Sequence, residues 1–131
     1  MKLGKPAAAL KARLEAMPGA TETPMTAARG STPLVLIYKV MDKMFAILSA
    51  REEAFVILKS DPHLAEILRG LYAGVGHRSH LDRRFWISVD LDSDVPAGEV
   101  ERLIDQSYDL VRAGLTRKQK AVLDTLSSAG G

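Results

Sequence analysis

The sequence predicts an α+β fold, a two-layer sandwich in which an antiparallel sheet of about five strands carries helices on one face. Three observations predict it. The runs "PLVLIYKV", "KMFAILSA" and "EAFVILKS" are rich in β-branched, aromatic and aliphatic residues, and only "MD" and "REE" separate them; links this short join antiparallel neighbours. Segments with apolar residues at helical spacing stand before and after these runs. A further strand-like run, "FWISVD", lies between two such segments. At 131 residues, 47% hydrophobic and 26% charged, the chain suits one folded domain with a single core.

The elements follow in order. Leu3, Ala7, Leu10, Leu14 and Met17 mark an amphipathic helix over 2–18, stopped by Pro18 and Gly19. "TETPMT" suits a short edge strand, and "ARGST" a loop. After the first long strand, the two-residue "MD" turn has no glycine, so Asp42 is expected to take a positive φ. Asp61 is placed to cap the next helix, with Pro62 in its first turn and Leu64, Ile67, Leu68 and Leu71 on one side; Gly74 or Gly76 should end it. In "FWISVD", alternation sends Phe85, Ile87 and Val89 to the core and Trp86, Ser88 and Asp90 to the other face. Pro96 opens a helix bearing Val100, Leu103, Ile104, Ser107, Leu110 and Val111 on its stripe, with Asp94 as its expected N-cap and Gly114 as its C-cap. A last, short helix over 116–128 carries Val122, Leu123 and Leu126 before "SSAGG" frays. Sheet and helices between them occupy 20–115.

Composition limits the function classes. With no cysteine, the chain can form no disulfide, thiolate nucleophile or thiolate metal site, which fits the cytoplasm. Lys11, Arg13 and Glu15 interrupt what would be the apolar stretch of a signal peptide. The longest apolar run, Pro33 to Tyr38, falls far short of the roughly 20 residues that cross a bilayer, so no membrane role is expected. A net charge of +2 and a pI near 9.0 permit nucleic-acid contact without diagnosing it.

The charge is unevenly spread. "HRSHLDRRFW", His77 to Trp86, sets three arginines against Asp82 and holds the only tryptophan. Arginine forks suit phosphate oxygens and an indole can stack on a base. Lys43, Lys59, Arg78, His80, Arg83, Arg84 and Trp86 are therefore the candidate nucleic-acid contacts. Asp90 to Asp109 instead carries seven acids and one arginine, an acidic face that would repel a duplex.

Other constellations carry less. Asp90, Asp92, Asp94 and Glu101 match calcium-loop positions 1, 3, 5 and 12, but Val95 stands where the loop needs glycine, so no calcium site is assigned. His77, His80 and Asp82 lie on one flexible run without a second ligand pair, so no metal or cofactor is expected. No glycine-rich phosphate loop, nucleophile elbow or separated carboxylate pair is present, and Ser107 reads as a small residue allowing close helix packing. The chain is not expected to be an enzyme.

"KMFAIL", "LKSDP" opening a helix, "HLDRRFW" opening a strand and "VPAGEVERLIDQSYDLV" together, from about Val40 to Leu115, resemble the MmcQ/YjbR family. The resemblance implies a small bacterial α+β domain similar to the CyaY-like "double wing", a type commonly labelled DNA-binding on fold alone. Where that family commonly has His-Leu-Asn-Lys, this chain has His80, Leu81, Asp82 and Arg83, which removes an amide and adds a negative charge. The expected partners are DNA, bound weakly by a monomer or weak homodimer, or alternatively a protein or a small molecule near Trp86 and His80.

Overall fold

The strand-forming runs pair into one sheet. The computed structural model describes residues 5–25, 35–49, 54–78 and 81–130, with side chains described over 7–25, 35–49, 54–78 and 81–126. The expected loop at "ARGST", the "REE" link and His80 lie outside these residues. In chain order the elements are α1 (Lys5–Glu15), β1 (Ala20–Met25), β2 (Val35–Val40), β3 (Lys43–Ser49), β4 (Phe55–Lys59), α2 (Pro62–Leu71), β5 (Val75–Gly76), β6 (Trp86–Asp90), α3 (Ala97–Ala113) and α4 (Arg117–Gly130). Six strands run in the order β1-β2-β3-β4-β6-β5, each antiparallel to its neighbours.

Register builds the core. Tyr38, Ala46, Leu58 and Ile87 oppose one another across β2, β3, β4 and β6, and Leu36, Leu48, Val56, Val89 and Val75 form a parallel row that reaches β5. All nine are buried. One apolar cluster joins these rows to Leu10 and Leu14 of α1, Ala65 and Leu68 of α2, Val100, Leu103, Ile104, Tyr108 and Val111 of α3, and Leu123 of α4. Phe45 meets Tyr108 edge-on, with ring centroids 5.4 Å apart. The Tyr108 hydroxyl donates to the Pro18 carbonyl, which ties the end of the α1 turn to α3.

Local chemistry sets the turns. Gly19 has φ +72°, and a Cβ there would meet Leu123 Cδ1 at 2.5 Å, so the stop after α1 needs glycine for both conformation and space. Both Met41 (φ 49°) and Asp42 (φ 66°) are left-handed, where only Asp42 was expected to be; a tight hairpin needs positive φ at both central positions to match the strand twist. Asp61 Oδ1 accepts from the His63 and Leu64 amides and caps α2, with Pro62 in the first turn. Thr116 and Gln119 cap α4 reciprocally through Thr116 Oγ1 and Gln119 Oε1. Gly114 closes α3 as expected.

Several expectations are corrected. Helix α2 ends at Leu71, short of the glycines, because Tyr72 turns extended and Val75–Gly76 pairs with β6 as a sixth strand. It buries Ala65 and Leu68 while Ile67 and Leu71 face solvent, 51% and 64% exposed. Phe85 precedes β6 and is 37% exposed, whereas Ser88 is buried, since β6 lies inside the sheet between β4 and β5. Asp94 does not cap α3; Pro96 stands at that position with no side-chain bond. Both Asp94 oxygens instead accept from the Ala73 and Gly74 amides at 2.7 Å, the Gly74 amide foremost in holding the carboxyl below its ordinary range. Helix α4 continues to Gly130 through the segment expected to fray.

One hydroxyl governs the end of the sheet nearest α3. Between Tyr38/Ala46 and Lys39/Met44 the register shifts, leaving Phe45 as an extra residue in β3. The β3–β4 ladder stops at Ala46 and Leu58, so Phe45 and Lys59 would be the next pair. Ser107 of α3, fully buried, enters there: its Oγ donates to the Phe45 carbonyl at 2.5 Å and accepts from the Lys59 amide at 2.8 Å. Ser107→Ala removes the partner of both buried backbone groups and should destabilise the fold by about 1–3 kcal/mol in urea unfolding, the usual cost of unsatisfied buried polar groups.

Candidate functional site

Three of the candidate residues line one pocket. Lys43 opens β3 after the hairpin turn, Lys59 ends β4, and Trp86 begins β6 directly opposite Lys59. With Met44, Leu110, Val111 and Gly114 they enclose about 230 Å³. Leu110 and Val111 stand one helical turn beyond Ser107, so the hydroxyl that enters the sheet also sets the helical wall of the pocket. The indole is half-buried. Neither ammonium has an ion-pair partner among the described residues, and no carboxylate lines the pocket. Two cations, an aromatic face and an apolar floor thus converge at the end of the sheet next to the last turn of α3.

The arginines behave differently. Asp82 Oδ1 accepts from the Arg84 amide at 2.9 Å and from its Nε at 3.1 Å, and Oδ2 accepts from its Nη2 at 2.8 Å. Those Arg84 bonds, side chain first and backbone second, hold the Asp82 carboxyl down at about 2. The Arg84 guanidinium also lies 5.3 Å from the Phe85 ring centroid. Arg78 Nε reaches Asp90 Oδ1 at 3.2 Å and its guanidinium lies over the Phe55 ring. Arg83 is exposed on the turn before β6, and its guanidinium has no ion-pair partner among the described residues. Of the candidates described, Lys43, Lys59 and Arg83 therefore keep uncompensated charge, Arg78 and Arg84 do not, and Lys43, Lys59 and Trp86 share a pocket.

Arg69 was not singled out in the sequence. Its Nη2 donates to the Arg83 and Trp86 carbonyls at 2.8 and 2.9 Å, which fixes the turn that delivers Trp86. Burial foremost, then the Arg83 charge, pushes its guanidinium below the ordinary arginine range. A basic residue in the last turn of a helix was the available signal, but it points to the helix dipole and not to a distant turn. A second hollow of about 300 Å³ lies between α2 and α3, lined by Asp61, Leu64, Gln106, Asp109, Leu110 and Ala113. Leu110 lines both, so a mostly apolar hollow adjoins the cationic pocket.

Among the described residues no group of three His, Asp or Glu side chains is placed to hold a metal ion. Within the calcium-like spacing, Asp90 pairs with Arg78 and Asp94 with backbone amides. No helix among the described residues is long and apolar enough to cross a membrane.

Comparisons with known proteins place this geometry among relatives. The family model YjbR matches residues 15–110. The uncharacterized protein YjbR of Escherichia coli K12 is 38% identical over 71 residues, which cover 53% of this chain and 60% of that protein. The uncharacterized protein YbdF of Escherichia coli O157:H7 is 28% identical over 85 residues, covering 64% of this chain and 70% of that protein. The chain thus spans only about three fifths of the length of the first of these relatives. The crystal structure of Deinococcus radiodurans protein DR2400 superposes with a TM-score of 0.78 at 27% identity, covering 93% of this chain and 92% of that one. A Pseudomonas syringae protein shares the fold at a TM-score of 0.56 and 24% identity, covering 68% of this chain and 86% of its own.

The Asp82–Arg84 pair yields a prediction with a definite sign. Because the Asp82 carboxyl is lowered from 3.8 to about 2 in the folded chain, the pair is intact above pH 4 and is lost as pH falls through about 2. Asp82→Asn should release Arg84 at neutral pH. The variant should elute from a heparin column at higher salt than the parent, with a nearly unchanged melting temperature because the pair is exposed.

Proposed function

The chain belongs to the YjbR family, and from the charge left free at the end of its sheet we propose that it binds nucleic acid weakly, by contacts to phosphate and base face and without sequence reading. One observation carries the reading: Lys43 and Lys59 converge uncompensated on the pocket that holds the only tryptophan. Lysine ammoniums act as point charges for phosphate, and an indole offers a stacking face that tolerates any base. Arg83, on the turn that leads into Trp86, supplies a third free cation. The role is binding and not catalysis, and the setting is the cytoplasm. Neutralisation of Arg78 and Arg84 makes the binding weaker than the run of arginines in the sequence implies.

A second reading, a protein-interaction module, draws support from Ile67 and Leu71, which lie four residues apart on α2 and are both exposed. Salt separates the two. Three phosphate contacts at about 0.7 each on a single strand give log K against log salt a slope near −2, a roughly twentyfold loss between 50 and 200 mM salt. Fluorescence anisotropy of a labelled single-stranded oligonucleotide should show that slope, and Lys43→Ala with Lys59→Ala should reduce it to about −0.7. A parent affinity indifferent to salt would overturn the proposal and favour an apolar interface.

A further inference from the structure

We infer that the pocket formed by Lys43, Lys59 and Trp86 takes one phosphorylated nucleotide unit, free or at the end of a strand, and not the body of a duplex. This rests on the proposed nucleic-acid reading and narrows it. Size argues first. At about 230 Å³ the pocket falls below the roughly 300–1,000 Å³ typical of sites that enclose a whole drug-sized ligand, so it takes part of one nucleotide unit and no longer stretch of strand.

Lining argues second. Lys59 and Trp86 are register partners, and directly opposed residues on antiparallel strands have Cβ atoms about 4.5–5.5 Å apart. An ammonium and an aromatic ring carried by opposed residues of adjacent strands suit the phosphate and the base of one nucleotide. Met44 and Val111 give the ring an apolar wall, and Lys43 adds a second cation with no carboxylate in the lining.

The surroundings argue third, because the neighbouring hollow between α2 and α3 offers no further cation. Beyond Leu110 lies the hollow lined by Asp61, Leu64, Gln106, Asp109 and Ala113, which has a mostly apolar surface and no cation for a second phosphate. On the turn before Trp86, Arg84 is neutralised by Asp82, which leaves Arg83 as the free cation of that turn. A strand that entered the pocket would therefore find no second phosphate site on the side of α2 and α3.

Because Trp86 is the only tryptophan, its fluorescence reports on the pocket directly. The full chain is titrated with adenosine monophosphate, adenosine, inorganic phosphate, a short single-stranded oligonucleotide with and without a terminal phosphate, and a blunt duplex lacking terminal phosphates. Adenosine monophosphate and the phosphorylated strand should give saturable fluorescence changes. Adenosine, phosphate alone, the unphosphorylated strand and the duplex should each bind at least about tenfold more weakly, a difference of about 1.4 kcal/mol. Lys43→Gln with Lys59→Gln should abolish the preference for the phosphorylated nucleotide over adenosine; Lys43→Gln alone, at an exposed site, should reduce it if the double variant does not fold. Salt-dependent duplex binding without a response to the mononucleotide would overturn the inference and leave the broader reading standing. Equal affinity for phosphate and mononucleotide would overturn the role of the indole. No response to any nucleic acid or nucleotide would overturn both readings.

Discussion

The Ser107 hydroxyl, placed between the Phe45 carbonyl and the Lys59 amide, is the constraint on which the sheet end depends. The bulge at Phe45 breaks the regular ladder, and a break inside a core would leave two backbone groups without partners. A hydroxyl can donate and accept at once, so a single serine satisfies both groups and welds α3 to β3 and β4. Alanine would match its size but not its bonds. The same weld fixes the rotation of α3, and Leu110 and Val111 follow one turn later as the wall against which Lys43, Lys59 and Trp86 converge.

Electrostatics at this end of the molecule are sorted by side-chain geometry. The planar guanidiniums of Arg78 and Arg84 find carboxylates and stack on phenyl rings. Such pairs are short and directional, and they consume the charge that a long-range partner would otherwise feel. Lys43 and Lys59 stand at strand ends beside a helix terminus, with no acid on the lining, and so retain their charge. Arg69 takes a third part, spending its donors on two carbonyls to hold the turn that delivers Trp86. Positive charge in this chain thus divides into paired, structural and available kinds, which composition alone does not separate.

The family relationship and the packing do not share a boundary. The match to the YjbR family model stops at residue 110, yet Leu115 and Leu123 beyond it are buried, and Arg112 pairs with Asp124. Leu123 lies against Gly19 and Val40 would be its neighbour across that glycine, so α4 closes over the turn between α1 and β1. The 93% coverage by the Deinococcus radiodurans structure shows that this larger arrangement recurs in a relative.

By itself the sequence determined what short-range physics decides: strand runs, helical stripes, the Asp61 cap with Pro62, the Gly19 stop and the family resemblance, because periodicity and capping act within a turn or two of chain. It also named Lys43, Lys59 and Trp86 as candidates by residue type. Only the tertiary structure decided which charges stay free, since Arg78 is claimed by Asp90 twelve residues away, and which candidates meet, since the pocket draws on residues 43, 59, 86 and 110. It decided too that Val75–Gly76 pairs as a strand, that Phe85 turns outward and that Ser107 is a bridge, where sequence reasoning saw a helix end, a core residue and a spacer. Those outcomes depend on which distant group reaches a donor, acceptor or charge first, and that competition is settled by packing in three dimensions.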